Sequence, residues 1–254
     1  MGAWDDKARA FASLHRRGQP LILFNAWDAG SAKVIAEAGA KAIATGSWSV
    51  AAAHGFADGE TLPLDLALAN LKRIAAAVEM PVTLDFEGAY AAEPDAVGAN
   101  AAQAKAAGAV GCNFEDRVVR GEGLHPVERQ SQRIAAMREA AGPGFFINAR
   151  TDVFLGSPPG EHEGRFEEAL KRARAYAEAG ASGLFVPGLV TEALIARICV
   201  ESPLPVNIMV WPGTPPLRRL AELGAARISH AAAPWRIAMR ALAQAAAAAH
   251  RGEG

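Results

Sequence analysis

"LILFNAWDAG", residues 21–30, begins as an unbroken apolar run and stops at Asn25, Trp27 and Asp28. Continuous apolar runs are typical of parallel strands that are buried on both faces. A buried strand that ends abruptly in polar and acidic side chains indicates that the strand reaches a pocket. The same pattern returns along the chain, and this repetition decides the fold.

Eight stretches, the first one included, share this apolar run with a polar end. They are residues 20–28, 41–49, 81–90, 109–116, 145–154, 182–188, 205–213 and 226–235. Segments with apolar residues at i, i+3 and i+4, a spacing that predicts helices, alternate with them. Eight strands alternating with eight helices predict a (β/α)8 barrel that forms a single domain over residues 1–254.

Glycines mark the ends of several predicted helices. Glycine is the residue that best adopts the left-handed conformation found just after a helix. The positions are Gly39, Gly108, Gly142, Gly180 and Gly224. A doubly wound open sheet is the alternative fold, and it would want a G-x-G-x-x-G turn after the first strand. The segment NAWDAGSA, residues 25–32, has no such turn, so the barrel is favoured.

Composition narrows the class of protein. A net charge of -1 gives no electrostatic basis for binding nucleic acid or a membrane surface. Two cysteines, Cys112 and Cys199, form neither a disulfide framework nor a zinc cluster, which predicts a reducing cytoplasmic location. We find no signal-peptide core at the N-terminus and no apolar stretch of the about 20 residues that a membrane helix needs. Cys112 is expected to pack in the core.

Polar residues at the strand ends are expected to meet at one mouth, because chemistry in (β/α)8 barrels sits at the carboxyl ends of the strands. These residues are Asn25, Trp27, Asp28, Thr45, Gly46, Ser47, Asp85, Glu87, Asn113, Glu115, Asp116, Asn148, Arg150, Thr151, Asp152, Asn207, Ser229 and His230.

Three carboxylates at this mouth suggest a metal. Asp85 and Glu87 are two residues apart, so on a strand both side chains point the same way, and Glu115 comes from the next strand. Like charges repel unless a cation joins them, and oxygen ligands suit Mg²⁺. The alternative is that these acids cap helices or pair with barrel arginines.

Two further features could hold an anion. Arg150 could clamp a carboxylate or phosphonate with two hydrogen bonds, or it could form a structural ion pair with a barrel carboxylate. The backbone amides of Gly46, Ser47 and Trp48 could also hold an anion, although many strand-to-loop turns contain Gly-Ser. The six histidines show no metal-ligand spacing, and His125 stands out slightly because it lies on a predicted loop.

In this order, these residues resemble the isocitrate lyase and phosphoenolpyruvate (PEP) mutase superfamily. The resemblance runs from about residue 20 to residue 230. Its segments are NAWDAGSAKVIAEAGAKAIATGSWSVAAAHGFAD (25–58), VTLDFEGAY (82–90), FEDR (114–117), INARTD (147–152) and RARAYAEAGASGLFV (172–186). The metal motif of the superfamily is normally written with two aspartates, whereas this chain has Glu87 at the second position.

The resemblance implies a barrel that binds Mg²⁺, with Mn²⁺ as a substitute, and a small 2-oxo acid or dicarboxylate. It makes Asp85 the direct metal ligand, with Glu87 and Glu115 holding metal-bound waters and Asp58 nearby. The substrate contacts that it implies are Trp27, Gly46, Ser47 and Arg150, to which we add Trp48, Asp85 and Asn207 from the mouth.

One loop departs from the superfamily pattern. Lyases carry Lys-Lys-Cys-Gly-His after the fourth strand, but RVVRGEGLHPVERQ, residues 117–130, has neither Cys nor Lys. The Lys-x-Asn type of loop of the mutases and phosphonopyruvate hydrolases is absent too, and Pro187 stands where lyases often have Glu. Gly121 and Gly123 predict that residues 118–126 form a mobile lid.

The expected function is Mg²⁺-dependent carbon–carbon cleavage or decarboxylation of a small 2-oxo acid, of the oxaloacetate type, through a stabilised enolate. The proton would come from solvent or from His125, and Arg150, Asp58 and Glu115 complete the candidate catalytic set. Two alternatives stay open, namely P–C bond chemistry on phosphonopyruvate and a protein that binds a 2-oxo acid without turnover.

The C-terminal segment predicts assembly. Residues 234–254 begin with a proline, and Trp235, Ile237, Ala238, Leu242 and Ala245 follow at helical spacing. Members of the superfamily commonly exchange their last barrel helix, which implies a homo-oligomer and most simply a tetramer. The alternative is that this helix closes its own barrel.

Overall fold

The computed structural model describes residues 2–253, and eight parallel strands run through that part of the chain. They are β1 (Leu21–Leu23), β2 (Ile43–Ala44), β3 (Val82–Asp85), β4 (Gly111–Glu115), β5 (Phe146–Arg150), β6 (Gly183–Phe185), β7 (Val206–Met209) and β8 (Arg227–Ser229). Each falls inside one of the eight predicted stretches.

One helix precedes β1, and at least one helix follows each strand. They are α1 (Ala3–Ser13), α2 (Ala29–Glu37), α3 (Ser47–Ala53), α4 (Leu64–Ala77), α5 (Pro94–Ala106), α6 (Val127–Ala141), α7 (His162–Glu178), α8 (Glu192–Glu201), α9 (Leu217–Glu222) and α10 (Ala233–His250), with a short 3₁₀ turn at Pro159–Glu161. No helix within residues 2–253 is both long enough and apolar enough to cross a membrane.

The strands form one sheet in the order β1-β8-β7-β6-β5-β4-β3-β2. The sheet curls until its two edge strands meet, where Ala26 and Thr45 form an isolated parallel bridge. Two hydrogen bonds join this seam: the Ala26 amide donates to the Ala44 carbonyl at 2.8 Å, and the Gly46 amide donates to the Ala26 carbonyl at 3.2 Å. The predicted (β/α)8 barrel is therefore confirmed.

The helix ends follow the glycine pattern. Gly39, Gly108, Gly142, Gly180 and Gly224 all have φ between 84° and 108°. Residues that carry a side chain rarely adopt this left-handed backbone conformation. Glycine adopts it freely, so it can end each helix and turn the chain into the next strand.

Two helices were not predicted. Helix α1 closes the amino end of the barrel, where Phe11 packs edge-on against Phe146 at 5.4 Å and His15 stacks on the same ring at 4.0 Å between centroids. Helix α3 starts at Ser47, directly after β2, so Ser47 and Trp48 are the first residues of a helix and not of a loop.

Helix α10 leaves most of its surface uncovered. Pro234 is its one buried residue, and Ile237 and Leu242 are 56% and 61% exposed. The outer face of β1 is also open, with Ile22 and Phe24 about two-fifths exposed beside a groove of about 530 Å³. In this chain, α10 does not cover the apolar surface next to β1.

Candidate active site at the barrel mouth

Asp85, at the end of β3, is held by three hydrogen-bond donors. Its Oδ2 accepts from the amide and the hydroxyl of Ser47, both at 2.9 Å, and its Oδ1 accepts from Asn113 Nδ2 at 3.1 Å. Ser47 begins α3 and Asn113 lies in β4, so two neighbouring elements fix this carboxylate. A carboxylate fixed in this way is preorganised to bind a cation.

Glu87 lies just beyond β3 and is buried. Its backbone is left-handed, with φ of 50°, and its Oε2 accepts a hydrogen bond from the Glu60 amide at 2.7 Å. Burial, followed by the negative charges of Asp58, Asp85 and Glu115, raises the pKa of Glu87 to about 9. Glu87 therefore keeps its proton near neutral pH unless a cation enters the mouth.

Arg150 forms structural ion pairs in the mouth. Its Nη1 lies 2.8 Å from Glu115 Oε2, while its Nε and Nη2 donate to the two oxygens of Asp152 at 2.6 and 2.8 Å. Burial alone would lower the pKa of Arg150, but Glu115 and Asp152 outweigh it and raise that pKa. A guanidinium has five N–H donors, so two still remain for a ligand.

Glu115 is another buried acid of the mouth. It is 5% exposed at the end of β4, and burial raises the pKa of its carboxyl, an effect that Arg150 opposes. Asp58 lies on the loop after α3, near Asp85 and Ser47, and burial together with Asp85 raises its pKa as well. The structure therefore brings the four predicted acids of the mouth into one electrostatic cluster.

The predicted metal ligands do not form a ready-made cage. Within residues 2–253, no three His, Cys, Asp or Glu side chains are close enough together to bind one ion directly. Asp85, Ser47, Glu87 and Tyr90 instead border a cavity of about 20 Å³, which is the space of one water-sized sphere. That cavity is too small for a hydrated ion, but one well-held carboxylate with further acids nearby suits an ion with one direct carboxylate and several waters, the coordination that Mg²⁺ favours.

Two of the three predicted anion-binding amides already have partners. The Gly46 amide donates to Ala26 across the barrel seam, and the Ser47 amide donates to Asp85. The ring of Trp48 is exposed and lies under the Arg236 guanidinium at 5.3 Å. Trp27 is half-buried and packs edge-on against Trp235 of α10 at 5.2 Å between ring centroids.

Several residues predicted for the mouth serve the fold instead. Asp28 caps α2, where its carboxylate accepts from the Ser31 amide at 2.7 Å. Asp116 is completely buried and binds Arg172 at 3.1 Å and the Tyr176 hydroxyl at 2.8 Å, both on α7. Asp28 and Asp116 could not be distinguished from the acids of the mouth in the sequence, because all of these acids follow or end predicted strands.

His125 lies apart from the Asp85 cavity. It borders another cavity with Glu60 and Arg133, and burial plus the nearby arginines lowers its pKa to about 4. A neutral imidazole is a poor proton donor near neutral pH, so this position and charge state do not favour His125 as the general acid. Asn207 is buried in β7, where its Oδ1 accepts from Ser229 at 3.4 Å, beneath the mouth and not at its surface.

Residues 117–124 form a small hairpin over the mouth. Arg117 and Leu124 make an antiparallel bridge, and Arg120 Nη2 donates to the Glu60 carbonyl at 3.1 Å. Val119 covers Gly88 so closely that a Cβ at residue 88 would lie 2.8 Å from its Cγ2. The hairpin rests on the loops that carry Glu60 and Glu87.

Arg227, in the barrel interior, was missed by the sequence-based site prediction, whereas Asn113 and Asn148 were expected at the mouth. Asn148 and Arg227 both donate to Asn113 Oδ1, at 2.9 and 3.0 Å, and Asn113 in turn contacts Asp85. The signal for Arg227 was an arginine inside the apolar run ARIS, two residues before Ser229 and therefore facing the same side of β8.

Comparison with known proteins is consistent with this geometry. The family model described as phosphoenolpyruvate phosphomutase matches residues 11–250. The chain is 31% identical over 238 residues to 2-methylisocitrate lyase of Escherichia coli, covering 89% of this chain and 77% of that enzyme. It is 34% identical over 246 residues to an uncharacterized protein of Mycobacterium tuberculosis, covering 96% of this chain and 90% of that protein.

Among solved structures, the chain is similar to a Burkholderia cenocepacia protein that is provisionally named a phosphonomutase. The two are 50% identical, with a TM-score of 0.93, and the match covers 98% of this chain and 99% of the other.

Proposed function

Since this chain belongs to the isocitrate lyase/PEP mutase superfamily, we propose that it is a Mg²⁺-dependent lyase that cleaves a carbon–carbon bond of a small 2-oxo acid. The family includes lyases and mutases. Decarboxylation of an oxaloacetate-type substrate is the reaction that these residues support best.

The acidic cluster around Asp85 is the observation that carries this proposal. Asp58, Asp85, Glu87 and Glu115 lie close enough to interact electrostatically, and burial, followed by the charges of the other three acids, raises the pKa of Glu87 to about 9. Arg150 offsets part of this charge but is shared between Glu115 and Asp152. A divalent cation would neutralise the remainder, so the donor set fits Mg²⁺. Asp85 would bind it directly, and Glu87 and Glu115 would hold its waters.

Each residue of the chain then has a defined task. When bound, the cation supplies a Lewis acid that stabilises the negative charge left when the bond breaks. The two remaining N–H groups of Arg150 bind the substrate carboxylate. Trp27 and the hairpin 117–124 exclude water from the mouth, which strengthens these electrostatic contacts. With His125 neutral, solvent delivers the proton to the product once the hairpin opens.

The composition of the loop at residues 117–130 favours decarboxylation over the other reactions of the superfamily. Residues 117–130 have neither cysteine nor lysine, so neither the Lys-Lys-Cys-Gly-His loop of the superfamily's lyases nor the Lys-x-Asn type of loop of its P–C enzymes is present there. Decarboxylation needs the smallest set of groups, because CO₂ leaves without a general base.

P–C bond chemistry is the second candidate, and the 50% identity to a protein provisionally named a phosphonomutase favours it. To distinguish the lyase from P–C bond chemistry, oxaloacetate or phosphonopyruvate is offered with Mg²⁺, and the pyruvate and phosphate released are measured. The lyase is supported if the unchanged chain with Mg²⁺ releases pyruvate from oxaloacetate faster than the Asp85→Asn variant with Mg²⁺ does. Phosphate released from phosphonopyruvate, or its conversion to phosphoenolpyruvate, supports the second candidate. Ligand binding without either reaction indicates a binding protein.

Glu87→Asp is expected to be mild. Aspartate tolerates the left-handed backbone at residue 87 better than glutamate does, although its shorter side chain gives up the hydrogen bond from the Glu60 amide. Because a water can fill the gap, we expect kcat/KM to fall by no more than about 10-fold. Glu87→Ala is the comparison in steady-state kinetics, and a larger loss in Glu87→Asp than in Glu87→Ala would contradict a water-mediated role.

The hairpin is expected to be a lid that closes on ligand. Arg117 and Arg120 are exposed trypsin sites within it. Addition of Mg²⁺ and pyruvate should slow trypsin cleavage after these two arginines but not after Arg251, an exposed internal control. Equal cleavage at all three sites with and without ligand would show that residues 118–126 do not act as a lid.

A further inference from the structure

Arg227 is a charged side chain in the middle of the barrel. It starts β8, is 1% exposed and makes no ion pair within the described chain. Its Nη2 donates to Asn113 Oδ1 at 3.0 Å, while its Nε and Nη1 have no partner among the atoms of residues 2–253. A buried cation with idle donors does not stabilise a fold, because its desolvation is not repaid.

Asn113 transmits the position of Arg227 to the mouth. Its Oδ1 accepts from both Arg227 and Asn148, and in an amide the oxygen alone is an acceptor. These two donors therefore settle which way the amide is turned. Its Nδ2 is left facing Asp85 Oδ1 at 3.1 Å.

The other oxygen of Asp85 is held from a different side. Ser47 donates to Oδ2 with both its amide and its hydroxyl. Removing the Asn113 contact would leave the carboxylate free to rotate about Ser47. Burial lowers the pKa of Arg227 to about 10, with Asp85 opposing, so the guanidinium keeps its charge near neutral pH.

We propose that Arg227 is a positioning residue for the cation site, acting through Asn113 to set the orientation of the Asp85 carboxylate. The inference rests on the proposed function, in which Asp85 binds Mg²⁺ directly. Arg227 touches neither the cation nor the substrate. It explains why the barrel keeps a costly buried charge directly beneath its acidic mouth.

Isothermal titration of Mg²⁺ into Arg227→Met tests this role. Methionine replaces the apolar stem of arginine but has neither charge nor donors, so Kd should rise by about 10-fold to 100-fold, as for other residues that orient metal ligands. Thermal unfolding should occur at the same temperature or higher, since a buried unpaired charge is removed. Arg227→Lys should give an intermediate Kd. Arg218→Met, which changes a 93% exposed arginine side chain on α9, should bind like the unchanged chain.

A double-mutant cycle with Asn113→Ala tests the route. If Arg227 acts through Asn113, Arg227→Met should weaken Mg²⁺ binding no further once Asn113 is alanine. An unchanged Kd in Arg227→Met, additive losses in the cycle, or a strongly destabilised Arg227→Met would each overturn the proposal. Absence of Mg²⁺ binding by the unchanged chain would instead overturn the proposed function, and this inference with it.

Discussion

Replacing Asp85 with alanine is expected to abolish Mg²⁺ binding and to lower turnover of the 2-oxo acid by about 10³-fold or more. Asp85 is held in place by three hydrogen bonds, two from Ser47 and one from Asn113. Metal catalysis of this type contributes several kcal/mol to lowering the barrier. At about 1.4 kcal/mol for each tenfold change in rate, the loss reaches about 10³-fold.

Two variants make this result interpretable. Asp85→Asn keeps the shape of the side chain and an acceptor for Ser47, but it removes the charge, so it should fold and still fail to bind Mg²⁺. Asp65→Ala removes an exposed aspartate from the first turn of α4 and should keep full activity. Full metal-dependent turnover by Asp85→Ala, measured by titration calorimetry and pyruvate release, would show that the cation binds elsewhere.

Deleting residues 234–254 is expected to give monomers or aggregate, since we propose that the protein is an obligate oligomer. Helix α10 has apolar residues exposed along its length, and the outer face of β1 exposes Ile22 and Phe24 beside an open groove. We propose that the α10 of a second copy covers the apolar surface next to β1, most simply within a tetramer. Each barrel would lose that cover when the helix is removed.

A matched pair of substitutions separates exchange from general damage to the helix. Leu242 is 61% exposed, and Ala247 is also exposed but lies about 140° around the helix from it. Leu242→Glu should dissociate the assembly, whereas Ala247→Glu should not. Light scattering of the unchanged chain at low micromolar concentration decides the matter: a mass near 26.5 kDa would mean that the chain is a monomer and that α10 is not exchanged.

The barrel was predictable because its signals are local. Each strand is a short apolar run with a polar end, and glycines such as Gly39 and Gly180 end helices by backbone conformation alone. Helix α1 was missed because its role depends on a distant partner. The packing of Phe11 and His15 can be explained only when Phe146 is known to lie at the amino end of the barrel.

The acids of the mouth were predictable as a group, but their partners were not. Sequence spacing placed Asp85, Glu87 and Glu115 at strand ends and left two roles open for Arg150. The structure shows its ion pairs with Glu115 and Asp152, which sequence spacing alone could not assign. The contact between Arg227 and Asn113 spans 114 positions of the chain, and only the closed sheet brings them together.

The most direct test of the cation site is a crystal structure of the protein soaked with Mn²⁺ and pyruvate, read by the anomalous signal of the metal. Our account predicts a single peak within coordination distance of an Asp85 carboxylate oxygen, about 2.1 Å for an ion of this kind. Glu87 and Glu115 should contact its waters, and the pyruvate carboxylate should face Arg150. A peak away from Asp85, or no peak at a Mn²⁺ concentration that supports turnover, would contradict the account.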